Sequence, residues 1–247
     1  MSEIGSAALL HAPDWPVMTD TKTRILDTAL ALFNRFGERN VTTNHIAGEL
    51  GISPGNLYYH YRNKAAIVSA LFDRYQAHLL TLLTVPAGPL TWEDKMRYFE
   101  GILESMWEGR FLHRDLAHFL HQDPALRERY KRFVEDSLAR GLEIYRRLRD
   151  SGLIEASDEE LRALLVNTWV LAASWSGFTH GLNPDIADDE TLDRRLLRQG
   201  IYQIICLEAP FLRGEALRHL DAMKREYRID ENALDRLFGA GGLVHSE

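Results

Sequence analysis

The chain has 247 residues, 45% of them hydrophobic, and a formal net charge of −7. That is enough to bury a sizeable core in one large domain or two unequal ones without disulfides, and the single cysteine, Cys206, lies in the apolar run Ile204-Ile205-Cys206-Leu207 and reads as a buried thiol in a reducing cytoplasm. The acidic balance excludes indiscriminate nucleic-acid binding, yet residues 21–64 carry six Lys/Arg against three Asp/Glu, so one patch can approach phosphate.

In chain order, residues 1–20 contain no Lys or Arg and are broken by Pro13, Asp14, Pro16 and Asp20, which makes them a flexible, untargeted leader in which Leu9, Leu10, Trp15 and Met18 either pack on the body or stay disordered. From Ile25 to Phe238 apolar residues recur at spacings of three and four with no sustained alternation, so the fold class is all-α. Helix breaks are expected at Gly37, at Gly51, in the Pro86–Pro89 loop, at Asp123-Pro124, at Ser151-Gly152, at Asn183-Pro184 and at Ala209-Pro210. Thr91 with Asp94, and Ser157 with Glu160, have capping-box spacing. Between Leu161 and Leu182 the one charge is Arg162, but Asn167, Thr168, Ser174, Ser176, Thr179 and His180 interrupt the run, which suits a helix buried between a core and a second subunit better than a membrane span. The tail from Gly239 reads as flexible.

The informative stretch is Thr21 to Lys64. One helix carries Ile25, Leu26, Ala29, Leu32, Phe33 and Phe36; a short one, Thr43 to Leu50, puts Ile46 and Leu50 a turn apart; Gly51 turns the chain, and Ser53 caps a third helix. That helix buries Leu57 and Tyr61 at i and i+4, leaving Gly55, Asn56, Tyr58, Tyr59 and His60 to project. A short helix held clear of its own domain in this way can enter a major groove. Gly55 permits close approach, Asn56 can read a base edge, and the tyrosines offer a hydroxyl to phosphate and a ring to a thymine methyl.

Thr42-Thr43, Ile46-Ala47 and the block Gly51-Ile52-Ser53-Pro54-Gly55-Asn56-Leu57-Tyr58-Tyr59-His60-Tyr61-Arg62-Asn63-Lys64 resemble the DNA-binding domain of the TetR family of repressors. The resemblance implies a helix-turn-helix domain over 21–64, within which Thr42, Thr43, Ser53, Gly55, Asn56, Tyr58, Tyr59, His60 and Lys64 form the DNA-binding set. In it, Thr43 and Lys64 grip phosphates, Tyr58 and His60 touch the backbone, and Asn56 and Tyr59 face bases. With no Lys or Arg before Lys22, no arm contact to the minor groove is expected.

The resemblance also implies a helical ligand-binding and dimerisation domain over 65–238, entered by a connecting helix from Lys64 to about Leu83, with residues 239–247 as the flexible tail. Arg110-Phe111, Arg114-Asp115-Leu116, Asp123-Pro124 and Tyr130 look like a pattern of one subgroup. The expected partners are a palindromic DNA operator, a second copy of the chain and an unidentified small-molecule effector, with no cofactor and no membrane. Repression is the family's usual mode. The helix over 161–182 and the following face of Leu192, Leu196, Leu197, Gly200, Ile201, Ile204 and Ile205 supply two apolar surfaces for a four-helix dimer interface, with Ile201 and Ala172 expected in it. The competing reading makes both helices intramolecular core.

Trp107, Phe111, His118, Tyr130, Phe133, Tyr145, Trp169, Trp175 and Phe178 are candidate ligand contacts, of which a minority should touch ligand because most aromatics at such spacing are core. His118 and His121, with Asp115, share one helix side and make a metal-responsive regulator the alternative, but His113 is turned about 140° away from His118. The histidines therefore read as surface or pocket side chains, and no metal site is assigned. A helical enzyme using the same histidines is a weaker alternative: with no phosphate-cradling loop, nucleophile elbow or paired-carboxylate signature, it leaves the 53–64 cluster unexplained. The expected protein is not an enzyme.

Overall fold

The structure, a computed structural model, describes residues 20–182 and 190–228. The expectations for the leader, for Asn183-Pro184, for the side chain of Leu192 and for everything beyond Arg228 lie outside the described residues. Ten α-helices are described, and the sole β feature among the described residues is one isolated bridge between Ile154 and Leu212.

Local caps set the ends of the first three helices. Asp20 caps α1 (Thr21–Phe36) by accepting from the Lys22 amide, and Gly37 ends it at φ 78°. After a 3-10 turn at Glu38–Asn40, Thr42 and His45 form a reciprocal capping box that opens α2 (Thr43–Leu50). Gly51 closes α2 in the left-handed region at φ 66°, where a side chain is disfavoured. Ser53 and Pro54 then start α3 (Pro54–His60). Ile25, Ala29, Phe33, Ile46, Ala47 and Leu57 are essentially fully buried and pack these helices into one core with Ile67 and Leu71 of α4 (Lys64–Leu82).

The remaining helices are α5 (Trp92–Glu108), α6 (Arg110–Gln122), α7 (Pro124–Asp150), α8 (Asp158–Leu182), α9 (Glu190–Glu208) and α10 (Gly214–Tyr227). The breaks expected at Pro86–Pro89, Asp123-Pro124, Ser151-Gly152 and Ala209-Pro210 are present, with a complete capping box at Thr91/Asp94 and the Ser157/Glu160 hydrogen bonds in place, whereas the break at Gly109 between α5 and α6 was not foreseen. Trp175 of α8 lies across Gly200 of α9, where a Cβ would come within 2.6 Å of the indole, and its Nε1 donates to the Leu196 carbonyl at 2.6 Å. That glycine is what lets the two helices approach.

Helix α8 is two-faced. Leu161, Leu164, Ser176 and Thr179 are buried, while Val166, Val170, Phe178 and Leu182 form an apolar stripe that the chain leaves about half exposed. This corrects the placement of Ile201 and Ala172. Ile201 is 1% exposed, and both line an internal cavity rather than an outward face, because α9 packs on α5, α8 and α10 with Ile201 and Ile204 turned inward. Among the described residues no helix is long and apolar enough to cross a membrane.

Candidate DNA interface and ligand cavity

On α3, Leu57 and Tyr61 are buried as the spacing requires, and the Ser53 hydroxyl accepts from the Asn56 amide at 3.2 Å. What remains outside is polar and aromatic: Gly55 and Asn56 are exposed, Tyr58 is half exposed and Tyr59 is 86% exposed, with His60 edge-on beside it. An aromatic ring left in water contributes nothing to packing. Thr43 Oγ1 and the Tyr58 hydroxyl sit 3.0 Å apart, fixing the start of α2 to the outer side of α3. Thr42, Thr43, Ser53, Gly55, Asn56, Tyr58, Tyr59 and His60 thus lie on α2, α3 and the caps that open them, four of them also serving as helix caps or ties.

Lys64 is placed differently. Its ammonium donates to the carbonyls of Glu38 (2.8 Å) and Val41 (3.0 Å) and pairs with the Glu38 carboxylate at 2.9 Å, so all three donors are committed inside the protein. It closes the turn between α1 and α2.

The second feature is a cavity of about 160 Å³ enclosed by α4 to α9. Phe133 is its central wall, with ring centroids of Trp169 at 5.7 Å, Phe72 at 5.8 Å, Tyr75 at 6.0 Å and Tyr130 at 6.2 Å. Of the aromatic candidates, Tyr130, Phe133, Tyr145 and Trp169 line it. The other candidates do not. Trp107 stacks under the Arg110 guanidinium, Phe111 packs between Phe33 and Phe119, His118 lies against Phe119, Trp175 is the α8–α9 lock, and Phe178 is half exposed.

The two charged groups of the cavity escaped the sequence reading. Lys95 of α5 and Glu208 of α9 form an ion pair at 2.5 Å with both side chains 5% exposed or less. The other Glu208 oxygen accepts from the Tyr145 hydroxyl at 2.6 Å, and Thr168 lies 3.4 Å from that hydroxyl. Burial first, and then the Glu208 carboxylate, hold the Tyr145 hydroxyl far above the usual phenol range. Across the cavity His113 Nε2 meets the Tyr75 hydroxyl at 3.0 Å. Burial lowers His113 to about 4, against a smaller opposing effect from a hydrogen bond to the Ala173 backbone, so its ring is neutral. A charge on an otherwise apolar helix face was the available signal: Lys95 shares a face with Phe99, Ile102 and Met106, and Glu208 with Ile201, Ile204 and Ile205.

The metal alternative lacks a donor set. Asp115 pairs with Arg39 at 3.1 Å, His113 faces the cavity while His118 does not, and among the described residues no three His, Cys, Asp or Glu side chains come close enough to hold an ion.

The cavity and the N-terminal helices meet through α6. Leu112, His113 and Leu116 line the cavity, while Phe111 and Arg114 reach α1. Buried Asn34 donates to the Glu108 carbonyl at 2.8 Å and accepts from the Phe111 amide at 3.1 Å, and Arg114 donates to the Asn34 carbonyl at 2.5 Å. Asp115 departs from helical geometry at φ −115°, ψ 18°, a kink between these contacts and the rest of α6.

Comparison with known proteins gives matches at both ends. Residues 25–71 match the family described as bacterial regulatory proteins, tetR family, and residues 74–220 match the one described as bacterial transcriptional repressor, TetR. A crystal structure of a TetR-family transcriptional regulator from Marinobacter aquaeolei VT8 is 40% identical, with a TM-score of 0.74 over 85% of this chain and all of that one. The SmeT–triclosan complex shares the fold at 20% identity and a TM-score of 0.51, over 79% of this chain and 93% of that one. The class C tetracycline repressor of Escherichia coli is 30% identical over 38% of this chain and 41% of its own length. The chain matches about half the length, or less, of the curated relatives it resembles.

Proposed function

The chain belongs to the TetR family of transcriptional regulators, and from that premise we propose that it is a cytoplasmic, homodimeric repressor whose two α3 helices read a palindromic operator and which a small molecule in the α4–α9 cavity releases. The observation that carries this reading is that α6 contacts both the cavity, through His113, and α1, the helix on which α2 packs, through Phe111 and Arg114. A ligand that changes the wall at Leu112 and His113 therefore alters the seat of the DNA-binding helices, and a differential affinity for two such arrangements is all that release requires.

Within this reading residues 21–64 form the DNA-binding domain and 65–238 the sensing and dimerising one. Asn56 and Tyr59 face bases, Thr43, Tyr58 and His60 meet the backbone, and Thr42, Ser53 and Gly55 shape the approach. Lys64 acts as a strut. The half-exposed stripe of Val166, Val170, Phe178 and Leu182 is the surface on which a second copy docks, a two-fold arrangement that matches an inverted repeat. The SmeT–triclosan complex supports a small-molecule role for the helical domain.

Selection from random duplexes with the full chain tests this. An inverted repeat should emerge with wild type and fade with Asn56→Ala plus Tyr59→Ala. Failure of the wild type to enrich any sequence would overturn the reading.

A further inference from the structure

The charges and hydroxyls of the cavity restrict what it can hold. Lys95 and Glu208 are the ionised side chains in its lining, and they neutralise each other. The carboxylate accepts from the Lys95 ammonium on one oxygen and from the Tyr145 hydroxyl on the other. A carboxylate ligand would add an unbalanced negative charge beside this neutral pair, and an ammonium an unbalanced positive one. Either leaves a buried charge without a partner, which is severely unfavourable. His113 adds no charge, being neutral at physiological pH.

One polar group is left open. Ser137 is 2% exposed and lines the cavity on α7, one turn from Phe133 and two turns from Tyr145. Its Oγ is buried with no hydrogen-bond partner among the described residues. Buried hydroxyls are rarely left so, because the lost solvation is not recovered elsewhere. Eight residues of helix place it about 12 Å along the axis from Tyr145, out of reach of the ion pair. The volume, about 160 Å³, is close to that of apolar cavities of about 150 Å³ that accept benzene.

We propose that the effector is an uncharged, mainly apolar molecule of single-ring or short-chain size, carrying one hydroxyl or carbonyl that hydrogen-bonds Ser137, and that the closed Lys95–Glu208 pair excludes acids and amines. This rests on the reading of the cavity as the effector site. The test uses four probes of one shape on the full chain at neutral pH: toluene titrated directly by saturation-transfer NMR, and benzyl alcohol, benzoate and benzylammonium each in competition with it. Benzyl alcohol and toluene should bind, with the two ions at least about a hundredfold weaker. Ser137→Ala should weaken benzyl alcohol about three- to tenfold and leave toluene unchanged. An ion binding within tenfold of benzyl alcohol, or a Ser137→Ala protein indistinguishable from wild type, overturns the proposal while the cavity stands as a binding site. If none of the four binds, the cavity reading falls with it.

Discussion

In the N-terminal helices the functional side chains are those that packing leaves over, whereas in the helices beyond Lys64 they surround a space that packing leaves unfilled. Tyr59 stands 86% exposed on a seven-residue helix whose inner face, Leu57 and Tyr61, is fully used. Phe133, 2% exposed, is as well buried as any core residue and differs from Phe33 only in facing a void on one side. The contrast teaches that the two regions should fail differently. Loss of an α3 side chain should spare stability and cost DNA recognition, and loss of a cavity group should do the opposite.

The largest effect is expected at the ion pair. Lys95→Met strands the buried Glu208 carboxylate and should destabilise the chain by about 3–5 kcal/mol in denaturant unfolding, with Lys95→Met plus Glu208→Gln recovering much of it. Equal losses in the single and double variants would show that packing, not charge, holds α5 to α9. Next comes acid. His113 stays neutral in the folded state to about pH 4, so the unfolded chain takes up its proton first as pH falls below about 6.5. Stability present above that pH is lost on the way down, roughly 3 kcal/mol by pH 4. His113→Gln should flatten that part of the stability profile, and an unchanged slope would place the acid sensitivity elsewhere.

On the other side of the comparison, Asn56→Ala should cost about 1–3 kcal/mol on the operator, little on random duplex, and under about 0.5 kcal/mol in stability. A matching loss on both DNAs would make Asn56 a backbone contact. The smallest effect separates the two possible roles of Lys64. As a strut, Lys64→Met lowers stability by about 1 kcal/mol and leaves the salt dependence of binding alone. A salt slope lower by roughly one per half-site would mean that the ammonium leaves Glu38 for phosphate in the complex.

The legibility of the sequence follows the same division. Caps and turns are local, so Ser53, Gly51 and Asp123-Pro124 could be placed from spacing alone. The α3 surface was readable because exposed aromatics contradict packing. A cavity is a product of tertiary packing, and Trp107 and Trp175 have the same helical spacing as Phe133 and Trp169, so periodicity could not sort them. The apolar side of α9 likewise looked fit for a subunit interface, and only the positions of α5 and α8 show that Ile201 faces inward. His113 was separable from His118 by helical angle, but nothing in the sequence said which of the two the cavity would take. Lys95 and Glu208 could have been found, each being a charge at an apolar position of its helix.

The account stands or falls on whether the two regions are coupled through α6. The direct measurement is operator affinity at one salt concentration with the cavity empty and with it saturated by the tightest uncharged probe, for wild type and for Asn34→Ala, which removes the hydrogen bonds to Glu108 and Phe111. The account predicts that filling the cavity weakens wild-type operator binding by about 5- to 150-fold and that Asn34→Ala brings the ratio toward one. An operator affinity that stays the same with the cavity filled would contradict it.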